Sequence, residues 1–300
     1  NDETVAAGRT LYVGAFILPA HQRLMLDGSA ETEGHFFADL GAAQCDITGG
    51  AISDSFQANA GGSNGFNTAD AINGGAGNDS LSLSVQEATS LTFTDATIQS
   101  VETLILSSSG TSPLSLTMAD GNVAAGTTLS VFGIPMSSSS ALTFDGSAET
   151  DGSYAISGGA GNDSLTGGAL ADTLSGGGGA DMFVYANAGH SSGNTYDTIT
   201  DLNFSEGDQF NLLGGLNAPS AIDAAVNGGA LSGGAGFDTD LAAAVGAGQL
   251  GANHAVTFTA DSGSLANHTF LVIDENGTAG YQSGADIVID ITGYTGTLST

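Results

Sequence analysis

The sequence predicts an all-β protein, a right-handed parallel β-roll or β-solenoid with a C-terminal β-rich cap that contains short helices. Three observations predict it: a tandem nonapeptide repeat, a longer internal repeat, and short strand-like runs of Thr, Ser, Val and Leu. Glycine supplies 47 of the 300 residues but lacks the three-residue period of collagen. Glycine therefore indicates turns between short strands.

The nonapeptide repeat is clearest at 158–184, where GGAGNDSLT, GGALADTLS and GGGGADMFV follow one another without a gap. Each unit has two glycines first, which permit a tight turn with positive φ, an Asp sixth and a large apolar residue eighth. The last three residues of each unit are typical of a short strand with its apolar side chain inward. Two units would form one coil, so residues 18 apart should stack. This spacing predicts Asp145, Asp163 and Asp181 on one edge and Asp172 on the opposite edge.

The repeated turns place carboxylates beside exposed backbone carbonyls. Ca²⁺ prefers hard oxygen ligands of this mixed kind, six to eight per ion. A flexible Gly/Asp-rich linker could contain one such motif, but three units in phase with apolar eighth positions disfavour a linker. The sequence therefore predicts Ca²⁺ as the cofactor, shared between stacked turns.

Further units of the same kind precede this cluster. GFNTADAIN and GGAGNDSLS form two consecutive units at 65–82, with Asp70 and Asp79 in sixth position, and Asp54 is sixth in GGAISD. Two clusters are therefore expected, at 49–82 and 158–184. GGAGFD at 233–238 also fits the turn but has Asp240 where an apolar residue is needed, so its role stays open.

A longer repeat relates two parts of the chain at an offset of 118 residues. Cys45 in the first copy occupies the position of Asp163, and Asp46 comes one residue late, which would turn its side chain to the other face. The first turn is thus expected to have lost its calcium or to bind it differently. The match begins inside a unit, which favours a piece of a longer array over an atypical terminal repeat. The matching segments are VAAGRTLYV (5–13) with VAAGTTLSV (123–131), LDGSAETEG (26–34) with FDGSAETDG (144–152), and DITGGAISDSF (46–56) with DSLTGGALADTL (164–174).

These repeats divide the chain into three predicted regions. Residues 1–82 form a degenerate first repeat unit with β-roll turns. Residues 83–187 form a second unit of strands followed by the roll, and 188–300 form the cap and secretion-signal region. The predicted boundaries lie where the repeat patterns begin and end.

The last region has a different pattern. Alanine-rich segments 218–226 and 240–245 predict short helices, the first with Ser220 as its N-cap. The runs HAVTFTADS, HTFLVIDEN and DIVIDITG predict strands, with Asn276-Gly277 as a tight turn.

The charge balance is extreme, with 32 acidic residues against Arg9 and Arg23 and a net charge of −30. Counterion release on nucleic acid needs basic residues, so nucleic acid is excluded as a partner. No apolar run reaches the length of a transmembrane segment. The single Cys45 leaves no intrachain disulfide and no Cys-based zinc site. Stacked carboxylates would repel one another, so the fold is expected to require cations.

Catalytic motifs are weak, and we expect no catalytic residue and no enzyme. The five histidines are dispersed and HExxH is absent. GGSNG at 61–65 and GHSSG at 189–193 match the serine-hydrolase pattern. The nucleophile elbow needs a strand before it and a helix after it, and the residues around Ser191 lack that pattern. The histidines are His21, His35, His190, His254 and His268.

The tandem nonapeptides, followed by DTITDLNFSEGDQFNL and closed by HTFLVIDENGTAGYQSGADIVIDITG, resemble the repeats-in-toxin (RTX) family. Within it the chain is similar to Caulobacter-type S-layer proteins and related large adhesins. The resemblance implies type I secretion through an uncleaved C-terminal signal and folding outside the cell, where calcium is abundant. It favours a calcium-dependent surface-layer protein at the bacterial cell surface that assembles with copies of itself in a lattice or filament. The alternatives are the C-terminal calcium-binding module of a large adhesin and the secretion domain of a longer enzyme.

The resemblance also implies which residues bind calcium. They are the sixth-position aspartates with the turn glycines, whose carbonyls act as ligands, and Asp201 resembles a ligand in the roll cap of related secreted proteases. The full set of expected metal-binding residues is Asp54, Asp70, Gly74, Gly75, Gly77, Asp79, Asp145, Gly158, Gly159, Gly161, Asp163, Gly167, Asp172, Gly176, Gly177, Asp181 and Asp201.

Overall fold

The computed structural model of the chain describes residues 5–14, 18, 22–41, 43–60, 65–67, 69–108, 110–133 and 136–299. It confirms a mostly β fold, a parallel β-solenoid of about eight turns. One α-helix, α1 (Phe237–Ala244), is present in the described part of the chain, near its C-terminal end.

The strands are short, two to seven residues each. Those before the midpoint of the chain are β1 Thr10–Gly14, β2 Arg23–Asp27, β3 His35–Leu40, β4 Gln44–Thr48, β5 Ser55–Ala60, β6 Ala71–Asn73, β7 Ser80–Val85, β8 Thr89–Thr92, β9 Ile98–Gln99, β10 Thr103–Ser108, β11 Leu114–Thr117, β12 Thr128–Phe132 and β13 Leu142–Asp145. Those after it are β14 Ser153–Gly159, β15 Ser164–Thr166, β16 Thr173–Gly177, β17 Met182–Tyr185, β18 Asp197–Ile199, β19 Gln209–Leu212, β20 Ala221–Ile222, β21 Val226–Asn227, β22 His254–Thr259, β23 Thr269–Ile273 and β24 Ile287–Asp290. Single 3-10 turns lie at Asp120–Asn122, Ala188–His190, Gly193–Thr195 and Gly234–Gly236.

The strands form one long sheet and two shorter ones. The long sheet has the parallel order β1-β3-β5-β7-β10-β12-β14-β16-β18 and continues through β24, β23, β22 and β20, with β21 also paired to β22. The shorter sheets have the orders β2-β4-β6-β9 and β19-β17-β15-β13-β11-β8. The chain passes repeatedly from the long sheet to a shorter one and back, which is the path of a solenoid.

The core consists of two stacks of apolar side chains, one on each side of the coil. Burying such side chains stabilises the fold by roughly 1.5–3 kcal/mol each. Paired in register along the long sheet are Phe56, Leu81, Leu104, Val131, Ile156, Leu174 and Ile199, all buried. The matching stack on the shorter sheet is Leu91, Leu116, Phe144, Leu165, Phe183 and Phe210.

The internal repeat has the same strand register in both copies. Thr10 pairs with His35 in the first copy, and Thr128 pairs with Ser153 in the second. The equivalence continues beyond the matched sequence, because Ser55 pairs with Ser80 and Thr173 pairs with Thr198 at the same offset. The structural repeat therefore extends to β7 and β18.

The expected 18-residue coil holds at only some steps. Ala155 pairs with Thr173 and Ser164 with Met182, each 18 residues on, but Leu114 pairs with Leu142, 28 residues on. Longer loops between strands account for the difference. The predicted stack of Asp145 on Asp163 is therefore wrong, because β13 and β15 pair with a 21-residue step that places Asp145 opposite Thr166.

The helix predicted over 218–226 is also wrong. This segment is extended and contains β20 and β21, and the Ser220 N–H donates to the Asn253 carbonyl instead of Ser220 capping a helix. Pairing with β22 outweighs the helix propensity of alanine here. The helix predicted over 240–245 is confirmed in part by α1, and Asp238 of GGAGFD lies within α1 instead of a roll turn.

The predicted C-terminal strands are confirmed. β22, β23 and β24 form an antiparallel arrangement, and β24 pairs in parallel with β18 at the end of the roll. Gly277 has φ +72° in the predicted turn. The division into three regions stays a prediction. None of the described helical segments has the length and apolarity needed to cross a bilayer.

Candidate calcium sites along three aspartate ladders

Aspartates from successive coils are linked in rows, which we call aspartate ladders. In the 163/181 ladder, Asp163 Oδ1 accepts the Leu142 N–H at 2.7 Å. The Asp163 N–H donates to Asp181 Oδ1 at 2.8 Å, and the Asp181 N–H donates to Asp208 Oδ1 at 2.9 Å. Each carboxylate therefore uses one oxygen to hold the backbone of the preceding coil.

Two further ladders run along the long sheet and are equivalent at the 118-residue offset. In the 54/79 ladder, the Asp54 N–H donates to Asp79 Oδ1 at 2.6 Å. In the 172/197 ladder, the Asp172 N–H donates to Asp197 Oδ1 at 2.9 Å. Asp54 and Asp172 in turn each accept the N–H of an aromatic residue in β3 or β14, at 2.6 Å. The predicted placement of Asp172 opposite Asp163 and Asp181 agrees with these contacts.

The first glycine of each unit leaves room for the carboxylate five residues later. A Cβ atom on this glycine would lie within 3.0 Å of that Asp Oδ2, closer than real Cβ atoms come. The carboxylate thus folds back over the turn, which explains the fixed spacing of Gly and Asp. The pairs are Gly49 with Asp54, Gly74 with Asp79, Gly158 with Asp163, Gly167 with Asp172, and Gly176 with Asp181.

The second glycine provides the turn itself. Gly159 and Gly177 have φ of +125° and +96°, values that side chains with a Cβ rarely adopt. The turns of successive coils stack directly, because the Gly178 N–H donates to the Gly159 carbonyl at 2.9 Å. Gly75 and Gly77 of the first cluster have φ of +98° and +120°.

The second carboxylate oxygens of four ladder residues are buried without a hydrogen-bond donor among the described residues. An unpaired buried polar group costs roughly 1–3 kcal/mol, and a charged one costs more unless it is paired or binds a metal. These oxygens lie beside glycine turns rich in carbonyl groups, the donor set that Ca²⁺ prefers. The residues present therefore fit the metal that the sequence predicts. The orphaned oxygens are Asp79 Oδ2, Asp163 Oδ2, Asp181 Oδ2 and Asp197 Oδ2.

The ladders are electrostatically strained without a cation. Burial, helped by the charge of Asp181, raises the pKa of Asp163 to about 7. Burial and the charges of Asp54 and Glu102 raise the pKa of Asp79 to about 7. Burial and neighbouring acids likewise raise the pKa of Asp181 to about 6. A proton or a cation would relieve each of these buried charges.

Asp201 lies where the resemblance placed it, above a glycine turn. Its carboxylate accepts the Gly176 N–H at 3.1 Å, the Gly177 N–H at 2.9 Å and the Ser175 hydroxyl at 2.6 Å. These contacts attach the segment after β18 to the last nonapeptide turn.

Asp70 and Asp145 differ from the ladder residues. Asp70 Oδ1 accepts the Cys45 N–H at 2.8 Å and its Oδ2 accepts the Asn67 N–H at 2.8 Å, so both oxygens are satisfied. Asp145 is half-buried and accepts the Ser147 N–H at 3.1 Å, outside any ladder.

Cys45 occupies the ladder position of Asp163, as the repeat predicts. It is fully buried, and burial raises the pKa of its thiol to about 11. Asp46 is on the outer face, where it forms an ion pair with Arg23. The one-residue shift of the carboxylate thus removes it from the ladder.

Sequence reasoning missed Asp197, Asp208 and Glu102. Asp197 lies 118 residues after Asp79, so continuing the offset past the matched segments would have found it. Asp208 begins the strand-like run DQFNL without a preceding glycine pair. Glu102, which accepts the Asp79 N–H at 2.7 Å, has no signal in the nonapeptide pattern.

Ser191 completes the 172/197 ladder. It is buried, its hydroxyl accepts the Asp197 N–H at 2.8 Å, and it donates to the Val288 carbonyl. A 3-10 turn precedes it in place of the strand of a nucleophile elbow. His21 and most of GGSNG lie outside the described residues, and the absence of enzymatic activity stays a prediction.

Comparison with protein families gives an independent result for these turns. The family model of the RTX calcium-binding nonapeptide repeat matches residues 64–83 and 155–189, in four copies. The chain carries RTX calcium-binding repeats. The matched RTX segments contain Asp70, Asp79 and the three sixth-position aspartates of 158–184. No curated protein matches the chain.

Proposed function

We propose that this chain is a secreted, calcium-dependent structural protein of the surface-layer type, whose β-roll folds and assembles when it binds Ca²⁺. The observation that carries the proposal is the row of buried, unpaired carboxylate oxygens in and beside the RTX turns. When bound, Ca²⁺ would neutralise these carboxylates and join neighbouring coils.

Calcium would act as the signal to fold. The chain has a net charge of −30, and its ladders concentrate part of that charge in the interior. Extracellular calcium modules bind with dissociation constants of about 10⁻⁴–10⁻³ M, far above cytosolic calcium. The ladders would thus remain uncompensated inside the cell and become neutralised outside it.

Secretion follows from the kind of repeat. RTX repeats are typical of extracellular proteins exported by type I secretion, which requires an unfolded chain. The type I secretion machinery is therefore the proposed transport partner, and the bacterial cell surface the proposed location.

Assembly is the finer part of the proposal and rests on the S-layer resemblance together with the surface of the first coils. Tyr12 on β1 and Met25 on β2 are 75% and 71% exposed, an unusual exposure for large apolar side chains. Two copies with a net charge of −30 would repel each other unless cations bridged them. Calcium would then serve both within and between subunits.

Electron microscopy and sedimentation with and without calcium test assembly. In millimolar Ca²⁺ we expect regular sheets or filaments, and in Mg²⁺ at the same ionic strength we expect dispersed chains. A protein that folds in Ca²⁺ yet remains monodisperse at high concentration would contradict the assembly role and favour an adhesin module or a secretion domain.

A further inference from the structure

A buried glutamate lies outside every nonapeptide unit, in the loop between β13 and β14. Glu149 is 0% exposed. Its Oε1 accepts three backbone N–H groups of its own loop, from Thr150 at 3.1 Å, Asp151 at 3.1 Å and Gly152 at 2.7 Å. Its Oε2 is buried and has no hydrogen-bond partner in the described structure. The loop thus fixes this carboxylate in place and leaves one oxygen unpaired.

Two exposed carboxylates converge on Glu149. One ligand oxygen from each of Asp120, Glu149 and Asp151 lies within 4.8 Å of the others. Thr150 holds Asp120 in place, because its N–H and hydroxyl donate to Asp120 Oδ1 at 2.9 and 2.7 Å. Three carboxylates at this separation repel one another unless a cation is bound among them.

The loop that carries Asp120 is firmly anchored. Asp120 begins the 3-10 turn after β11, and Asn122 in the same turn donates to the Thr94 carbonyl at 2.7 Å and the Ile98 carbonyl at 3.1 Å. The carboxylates therefore come from two consecutive coils, each held by backbone contacts rather than by the cluster itself.

No protein cation is positioned to neutralise this cluster. The sequence contains two basic side chains, and Arg23 already pairs with Asp46. Arg9 precedes β1, five strands from β12 along the long sheet, roughly 24 Å away at the usual strand spacing.

We propose that Asp120, Glu149 and Asp151 form a calcium site outside the RTX nonapeptides, one that joins the loop after β11 to the loop after β13. Three carboxylates and an open, solvent-facing side suit a hard cation with water among its ligands. The inference does not depend on the proposed surface-layer role.

The first repeat copy differs at this point in an informative way. Glu31, the equivalent of Glu149, is also buried, and its Oε1 accepts the Gly34 N–H at 3.0 Å. Its Oε2, however, accepts the Val5 N–H at 3.0 Å. The oxygen that is orphaned in the second copy is therefore satisfied in the first, so we assign the site to the second copy alone. Asp2, the sequence equivalent of Asp120, lies outside the described residues.

Counting bound calcium tests the site. Isothermal titration of the full chain should show one Ca²⁺ fewer per chain for the double variant Asp120→Asn, Asp151→Asn than for the wild type. The matched control removes two exposed carboxylates elsewhere, Glu87→Gln and Asp261→Asn, and should keep the wild-type number. An unchanged number in the Asp120/Asp151 variant would overturn the proposal.

Single changes at Asp151 keep the test decisive if the double variant fails to fold. Asp151 makes no side-chain hydrogen bond within the described residues, so Asp151→Asn should preserve the wild-type circular dichroism in saturating calcium. We expect it to weaken one calcium site at least tenfold. Asp151→Glu, which introduces the residue found at Glu33 in the first copy, should restore binding. Equal binding by the wild type and Asp151→Asn would overturn the site.

Discussion

Each nonapeptide turn depends on a glycine that makes space for a carboxylate. A Cβ on Gly176 would collide with Asp181 Oδ2, whereas a Cβ on Gly178 in the same turn would meet nothing within 4 Å. Neither glycine has positive φ, so the two substitutions differ in contacts and not in backbone strain.

Gly176→Ala should therefore raise the calcium concentration needed for folding several-fold, and Gly178→Ala should leave it nearly unchanged. The measurement is a calcium titration followed by far-UV circular dichroism. Equal midpoints for the two variants would show that the close approach of Gly176 to the carboxylate is unimportant.

The two carboxylates at the drifted position should differ in the same way. Asp163→Asn retains an oxygen to accept the Leu142 N–H but removes the charge that a cation would neutralise. We expect it to weaken the calcium response by about tenfold, an effect of about 1.4 kcal/mol. Asp46→Asn, which affects only an outer ion pair with Arg23, should titrate like the wild type. A stronger effect at Asp46 would contradict the ladder assignment.

At the residue scale, the sequence predicts the ladder aspartates that obey the nonapeptide spacing, because Gly and Asp in one turn are locally coupled. It does not predict Asp208 or Glu102, since these accept backbone N–H groups from distant coils. Asp145 fails for a related reason: its stacking depends on coil length, which a loop between strands changes without altering the local motif.

At the scale of elements, each ladder is a line of buried acids whose ionisation opposes folding. Burial raises the pKa of Asp163 to about 7 and of Asp181 to about 6, from an ordinary value of 3.8. Between the ordinary and raised values, the folded metal-free chain binds more protons than the unfolded chain. By linkage, its stability falls as pH rises through this window and recovers as pH falls.

In chelator, the chain should thus have more β-structure at pH 5.5 than at pH 8, and the double variant Asp163→Asn, Asp181→Asn should depend less on pH. Circular dichroism across this range in chelator provides the measurement. β-structure that increases with pH in the absence of calcium would contradict the raised pKa values.

Strands and helices were predictable to different degrees. The strands of 158–184 follow directly from their apolar eighth positions, which form the continuous stacks of Leu165 with Phe183 and of Ile156 with Leu174. The segment 218–226 reads as a helix from its alanines but pairs with β22. Its conformation is decided by a strand more than 25 residues later, which local propensity does not contain.

At the scale of the whole molecule, the fold combines favourable apolar stacks with unfavourable internal charge. Two rows of buried Leu, Ile, Val and Phe run along the roll, while the ladders hold buried carboxylates beside them. The internal repeat reproduces this arrangement with the same register in two places. The sequence contains two basic residues, so the compensation must come mainly from solution cations.

This balance predicts that calcium, more than ionic strength, stabilises the molecule. Sodium chloride screens exposed charges but acts weakly on buried ones, and Mg²⁺ gives up its water reluctantly. The thermal unfolding midpoint should rise strongly with millimolar Ca²⁺ and little with equivalent Mg²⁺ or with salt. Equal stabilisation by all three would indicate surface screening instead of specific sites.

The most direct test of calcium-gated folding is the far-UV circular dichroism spectrum of the full chain in chelator and then in millimolar Ca²⁺ at pH 8. We predict a largely disordered spectrum in chelator and a reversible gain of β-structure when calcium is added. A β-rich spectrum that is identical in chelator and in calcium would contradict the account.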